Sequence, residues 1–90
     1  MLKQKPYRNR KYLDWVKRQP CVMCHAPADD PHHIIGVGRM SGMGTTAPDS
    51  MAIPLCRHHH DEIHRTPELW DQQWEWVART LDNALREGVL

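Results

Sequence analysis

Ninety residues, 40% of them hydrophobic and none Phe, with a mean hydropathy of −0.71 and a net charge of +1, allow one small domain with a modest core. Three cysteines cannot all pair with one another, no secretory leader opens MLKQKP, and no apolar run approaches membrane-spanning length. These features point away from a disulfide-stapled secreted scaffold and a membrane partner, and a reducing, cytoplasmic setting with a metal ion as the staple is expected.

In chain order, residues 1–8 read as a flexible basic arm. Seven of the twelve Lys and Arg residues (Lys3, Lys5, Arg8, Arg10, Lys11, Lys17 and Arg18) lie in the first eighteen positions, against one acid, Asp14. Such an arm suits an anionic partner such as DNA, although charge alone suits a solvated tail as well. A single domain then spans residues 9–90. Asn9 is placed to cap a short helix with Tyr12, Trp15 and Val16 on one face, which Pro20 stops. CVMCHAPADD follows as a tight cysteine turn. PHHIIGVG predicts a short strand, GVGRMSGMGTTAPDS a long glycine-rich loop, and MAIPL a second strand that Pro54 confines to an edge or an end. From Cys56 to about His64 the pattern is helical. A new helix begins with Thr66 as cap and Pro67 at its first position, carries an apolar stripe of Trp70, Trp74, Val77, Leu81 and Leu85, and ends at Gly88. In a chain short of core residues that stripe is read as buried rather than as a surface for stacking bases. The four loop glycines match neither GxGxxG nor a P-loop, so a nucleotide-binding fold is rejected.

The chemistry is concentrated in PLCRHHHDEIH, residues 54–64, which puts one cysteine and four histidines into eleven positions. Cys21 and Cys24 form a C-x2-C turn, and Cys56 and His59 form a C-x2-H turn. Two such knuckles supply four tetrahedral ligands, so these residues are read as a closed structural zinc site. A redox role for the cysteines is the alternative. His60 and His64, one helical turn apart, project from the same face. They need a further ligand to close a second, open site, and the paired His32 and His33 offer one. His58 is assigned to neither ion.

A hairpin bearing HH followed by a helix bearing H-x3-H resembles the HNH (ββα-metal, His-Me finger) nuclease superfamily. CVMCHAPADDPHHIIGVGRMSGMGT and PLCRHHHDEIHRTPELW are most similar to its zinc-stapled branch, the recombination enhancement function (Ref) nucleases of temperate phages, over about residues 20–90. The resemblance implies an α+β fold, a small zinc-stapled ββα-metal domain with flanking N- and C-terminal helices. Carried over by position, it makes His33 the general base and His32, His60 and His64 the ligands of a catalytic Mg2+, Mn2+ or Zn2+. The motif's middle Asn is absent, since Asn9 and Asn83 are the only asparagines, and Asp49 is the candidate to orient His33 in its place. The family's long basic segment is reduced here to a short arm, so recombinase-dependent substrate choice does not carry over with it. A role in phage or bacterial recombination, and a recombinase filament as partner, are implied by resemblance alone.

The residues suit that chemistry on their own account. Phosphodiester hydrolysis needs a water, a group to take its proton and a cation to stabilise the developing charge, and an imidazole titrates in the useful range. Lys3, Lys5, Arg8, Arg10, Arg39, Arg57 and Arg65 can hold a phosphate backbone without reading sequence. The expected function is a metal-dependent DNA endonuclease of low sequence specificity. The rival is a non-catalytic zinc-binding module that contacts DNA or protein.

Overall fold

The computed structural model describes residues 6–37 and 47–90. The elements are helix α1 (Arg10–Lys17), strand β1 (Asp30–His33), a 3-10 turn (Asp49–Met51), strand β2 (Ala52–Leu55), helix α2 (Arg57–Arg65), a 3-10 segment (Pro67–Gln72) and helix α3 (Gln73–Arg86). The fold is a small α+β arrangement in which β1 and β2 pair antiparallel and three helices surround them.

Asn9 caps α1 by accepting the Tyr12 N–H at 3.0 Å, and Tyr12, Trp15 and Val16 are the buried face. They pack on Ala84 near the end of α3, where the Trp15 Nε1–H also donates to Glu87 Oε1 at 3.1 Å. Tyr12 is fully buried, and burial, followed by the nearby Tyr7, pushes its phenol up to about 12. The larger core joins Ile34, Ile53, Leu55, Ile63, Trp76 and Val77 with Cys21 and Ala47.

Strand β1 is shorter than PHHIIGVG suggests and starts earlier. It begins at Asp30 and leaves the ladder after His33, because the Gln73 side chain takes both the N–H and the carbonyl of Ile35. Gly36 then turns the chain with φ +70, and a Cβ there would collide with the Trp70 ring. In the ladder Pro31 faces Pro54, a rung to which neither residue can donate a hydrogen bond. The predicted glycine loop falls largely in residues 38–46, outside the described residues.

Two corrections concern the C-terminal helix. Its first six residues are 3-10 rather than α, and Thr66 makes no side-chain cap bond. The buried face of α3 is Gln73, Trp76, Val77, Thr80 and Ala84; of the predicted stripe, Val77 is buried and Trp70 and Leu81 pack against the core, whereas Trp74 is 39% exposed and Leu85 is 63% exposed. Gln73 and Thr80 are polar residues on the buried face, so a stripe counted from apolar residues alone is centred to one side of it. Gly88 does end the helix. At φ +75 it donates to the Leu85 carbonyl at 3.2 Å, while the Val89 N–H reaches the Ala84 carbonyl at 2.9 Å, the paired bonds of a Schellman motif.

Among the described residues no helix is long and apolar enough to cross a membrane.

Candidate metal centres and the adjoining cleft

Strand β2 delivers Cys56 to the start of α2, where Cys56 is the N-cap residue and His59 lies three positions into the helix. The N-terminal knuckle is closed by the Cys21 N–H to the Ala26 carbonyl at 2.7 Å, the His25 N–H to the Cys21 carbonyl at 2.8 Å, and His25 in the left-handed region at φ +65. Cys21, Cys24, Cys56 and His59 present ligand atoms that all lie within 4.8 Å of one another. A tetrahedral zinc with bonds of about 2.3 Å to sulfur and about 2.05 Å to nitrogen requires S···S near 3.8 Å and S···N near 3.6 Å. Cys24 Sγ lies 3.8 Å from Cys56 Sγ, Cys21 Sγ lies 3.6 Å from His59 Nδ1, and Cys56 Sγ is closer to that nitrogen at 3.2 Å. Electrostatics agree with the geometry. Burial raises the Cys21 thiol, yet hydrogen bonds from the Cys56, Met23 and Cys24 backbones bring it down to about 7. An Ala26 N–H lowers Cys24, but desolvation and the neighbouring Cys21 and Cys56 sulfurs outweigh it and push that thiol up. Crowded thiolates of this kind need a cation, and the Cys3His set can hold a metal ion. Glu62 Oε2 stands 3.7 Å from His59 Nε2, the ring nitrogen turned away from the sulfurs. That distance is an ion-pair contact and not a hydrogen bond.

The same helix turns His60 and His64 toward β1. His32, His60 and His64 form a second converging set, their ligand atoms also within 4.8 Å of one another. The His32 ring meets those of His60 and His64 edge-on, with centroids 4.8 and 5.5 Å away. His32 is only 3% exposed. Desolvation, the largest influence, lowers it to about 4, helped by His60, His64 and His33 and opposed by its hydrogen bond to Gln73. It is therefore neutral at pH 7, the state a metal ligand requires. Asp30 Oδ2 lies 3.2 Å from His60 Nδ1 and 2.9 Å from the Arg57 guanidinium. With Nδ1 turned to that carboxylate, His60 is left to present Nε2. The neighbouring Asp29 has a different task. Its Oδ2 accepts the Arg57 N–H at 2.7 Å, capping α2 from another segment because Cys56 supplies no side-chain cap.

His33, the last residue of β1, goes to the other side. Its Nε2 lies 2.8 Å from Asp49 Oδ1. Asp49 is 4% exposed and also receives the Asn9 N–H at 2.7 Å and the Arg8 guanidinium at 3.1 Å. Burial raises the Asp49 carboxyl, but the hydrogen bonds from His33, Asn9 and Arg8 outweigh it and hold the group below its usual range. Arg8, Arg10, Leu13, His33 and Asp49 line an open cleft of about 450 Å³.

The cationic residues divide. Arg8 is engaged with Asp49 and with the Ala47 carbonyl at 2.8 Å, and Arg57 with Asp30, so both orient site carboxylates. Arg10 is well exposed, with a 3.7 Å contact to Asp14, and Arg65 is exposed. Lys3, Lys5 and Arg39 lie outside the described residues. Tyr7 and Arg8, grouped with the arm from sequence, are tied to the body, since the Tyr7 carbonyl accepts the Asp49 N–H at 2.8 Å. Sequence reasoning missed Asp29, Asp30 and Gln73. Asp30 was accessible, being two strand positions from His32 and so on its face. Gln73, forty-one residues from His32, carried no local signal.

A model of the family described as "Protein of unknown function (DUF968)" matches residues 1–88. The chain belongs to the DUF968 family. This DUF968 chain is also 47% identical over 92 residues to the uncharacterized protein YdfU of Escherichia coli (strain K12), an alignment covering 98% of the chain and 26% of that protein. It thus spans about a quarter of the length of this curated relative. No solved structure matches the DUF968 chain.

Proposed function

We propose that this DUF968 chain is a metal-dependent DNA endonuclease of the ββα-metal (HNH) type, stapled by zinc at Cys21, Cys24, Cys56 and His59. The observation that carries the reading is the division of labour at the adjacent His32 and His33. One imidazole converges with His60 and His64 as a three-nitrogen ligand set, while the next is held by a buried carboxylate and faces an arginine-lined cleft. A structural module would need only the Cys3His set.

In this reading His32, His60 and His64 would hold a divalent metal, which when bound supplies Lewis-acid stabilisation of charge on the phosphate and the leaving oxygen. Asp49 Oδ1 accepts the proton on His33 Nε2, which leaves the lone pair of Nδ1 free. That nitrogen takes the proton of a water as its oxygen bonds to phosphorus, and the bond from phosphorus to the leaving oxygen breaks, with solvent protonating the oxygen released. Arg8 shares the Asp49 Oδ1 oxygen with His33 and offsets its charge, and Arg10, which also lines the cleft, offers positive charge to the phosphate backbone.

The test is nicking of supercoiled plasmid by purified wild-type and His33→Ala protein at matched metal content. Loss of nicking in the variant supports the reading. Equal nicking by both leaves the non-catalytic zinc-binding module in its place.

A further inference from the structure

Gln73 is the first residue of α3, and its side chain is entirely buried. All four of its hydrogen-bonding positions are used. Its Nε2 donates to the carbonyls of Ile35 at 2.7 Å and Trp70 at 2.9 Å. Its Oε1 accepts the Ile35 N–H at 3.0 Å and faces His32 Nε2 at 3.3 Å. The amide cannot be turned over. A flip would set its NH2 against the Ile35 N–H and its oxygen against two carbonyls, exchanging three bonds for three repulsions in a site without water access. With Oε1 fixed as an acceptor, His32 Nε2 must carry the proton, and its lone pair resides on Nδ1.

We infer that Gln73 is a positioning residue that selects the tautomer of His32, so that His32 presents Nδ1 and not Nε2 to a metal. The inference rests on the proposed three-histidine metal site for the ion it serves, but not on nuclease activity. It deepens that site in two respects. His60, whose Nδ1 faces Asp30, presents Nε2, so the set is a mixed one, pre-assembled by two outer partners from β1 and α3. A set of three imidazole nitrogens favours zinc, nickel or cobalt over magnesium, which prefers oxygen ligands. The same amide that ties the exit of β1 to α3 thus sets which atom faces the metal.

The test uses the full chain, 15N-labelled and carrying one equivalent of zinc. Long-range 1H–15N spectra of the imidazoles report which nitrogen of His32 is protonated, without any second metal. Binding of a further equivalent of zinc is then measured by competition with a chelating dye. In the wild type His32 should be the Nε2–H tautomer. Gln73→Leu should mix the tautomers and weaken binding of the second zinc by roughly 10–100-fold, the usual scale for removing an outer partner. Gln73→Glu keeps an acceptor for His32 but gives up donation to the Ile35 and Trp70 carbonyls. It should therefore retain the tautomer and most of the affinity while losing stability. A wild-type His32 protonated on Nδ1 overturns the inference, even if Gln73→Leu fails to fold. So does a Gln73→Glu variant that loses zinc affinity as fully as Gln73→Leu, which would mark a purely structural role. Absence of any second zinc in the wild type removes the three-histidine site itself, while the tautomer spectrum still decides the part played by Gln73.

Discussion

Asp49 meets His33 across sixteen residues of sequence, with 2.8 Å between Oδ1 and Nε2, and meets it as a buried carboxylate anchored on its other oxygen by the Asn9 N–H. This arrangement separates two substitutions that would otherwise look alike. His33→Ala should lower plasmid cleavage by about 10²-fold or more with the fold unchanged, since a lost general base costs on that order. Asp49→Asn, which can still accept from His33, should lower cleavage less. Asp49→Ala should add a loss of about 1–3 kcal/mol in urea unfolding, because it strands the Arg8 and Asn9 donors as well.

Cys21→Ser and Cys56→Ser should unfold the domain, because ligand binding at a small closed metal set is folding free energy. Purified wild-type protein should carry one tightly held zinc by elemental analysis, and a strong chelator should abolish its helical circular dichroism. A folded, active Cys56→Ser protein would remove the metal from the account of stability.

His60→Ala and His64→Ala should abolish cleavage while leaving the Cys3His metal and the melting profile in place. Asp30→Asn should be milder, weakening metal at the three-histidine set by about 10-fold, since the carboxylate acts through His60. Metal content and nicking measured on the same samples distinguish these outcomes.

Acid should destabilise the protein through His32. Its pKa is depressed to about 4 in the folded chain, against about 6.5 when unfolded, so between those values the unfolded chain binds the extra proton. Stability contributed above pH 6.5 is therefore lost as pH falls toward 4, in total on the order of 3 kcal/mol from that difference. Urea melts at pH 7, 6 and 5 on protein carrying one equivalent of zinc should show the decline, and His32→Gln should flatten it. A variant with the wild-type slope would exclude His32 as its source.

Gly36→Ala should cost about 1–3 kcal/mol or more, combining a left-handed backbone angle with a Cβ driven into the Trp70 ring. A chemical melt indistinguishable from wild type would contradict the packing described.

Much of this site was legible because its residues are local. The knuckle spacings 21/24 and 56/59 and the helical pair 60/64 are short-range geometry, and short-range geometry is what a sequence displays. The α1 cap at Asn9, strand β2 and the glycine end of α3 were legible for the same reason. Three features were not. Strand β1 ends where a side chain forty residues away captures the Ile35 backbone, and no periodicity records that. The face of α3 is centred on Gln73, Trp76 and Thr80, with Trp74 on its exposed flank, because a polar amide and a threonine occupy core positions that a count of apolar residues passes over. By spacing alone, adjacent His32 and His33 offered one ligand between them without saying which, whereas strand alternation gives them different partners, α2 and α3 for one and Asp49 for the other.

Helix α2 carries consecutive residues into different metal sets, His59 among the sulfurs and His60 among the imidazoles, about 100° apart around one axis. Ile63 is the one buried side chain of this nine-residue helix, whose rotation is otherwise held by Asp29 and Asp30 at Arg57 and His60 and by Trp70 at the Ile63 carbonyl. Were both sets to hold ions, an ion on the sulfurs would help fix the azimuth at which His60 and His64 stand and so favour binding at the second set. Reciprocity requires the second ion to tighten the first by the same factor, so zinc should be harder to strip from Cys21, Cys24, Cys56 and His59 when the imidazoles are loaded. The helix is in that sense a shaft with a ligand set at two angles, and each ion, once bound, would act as an effector of the other.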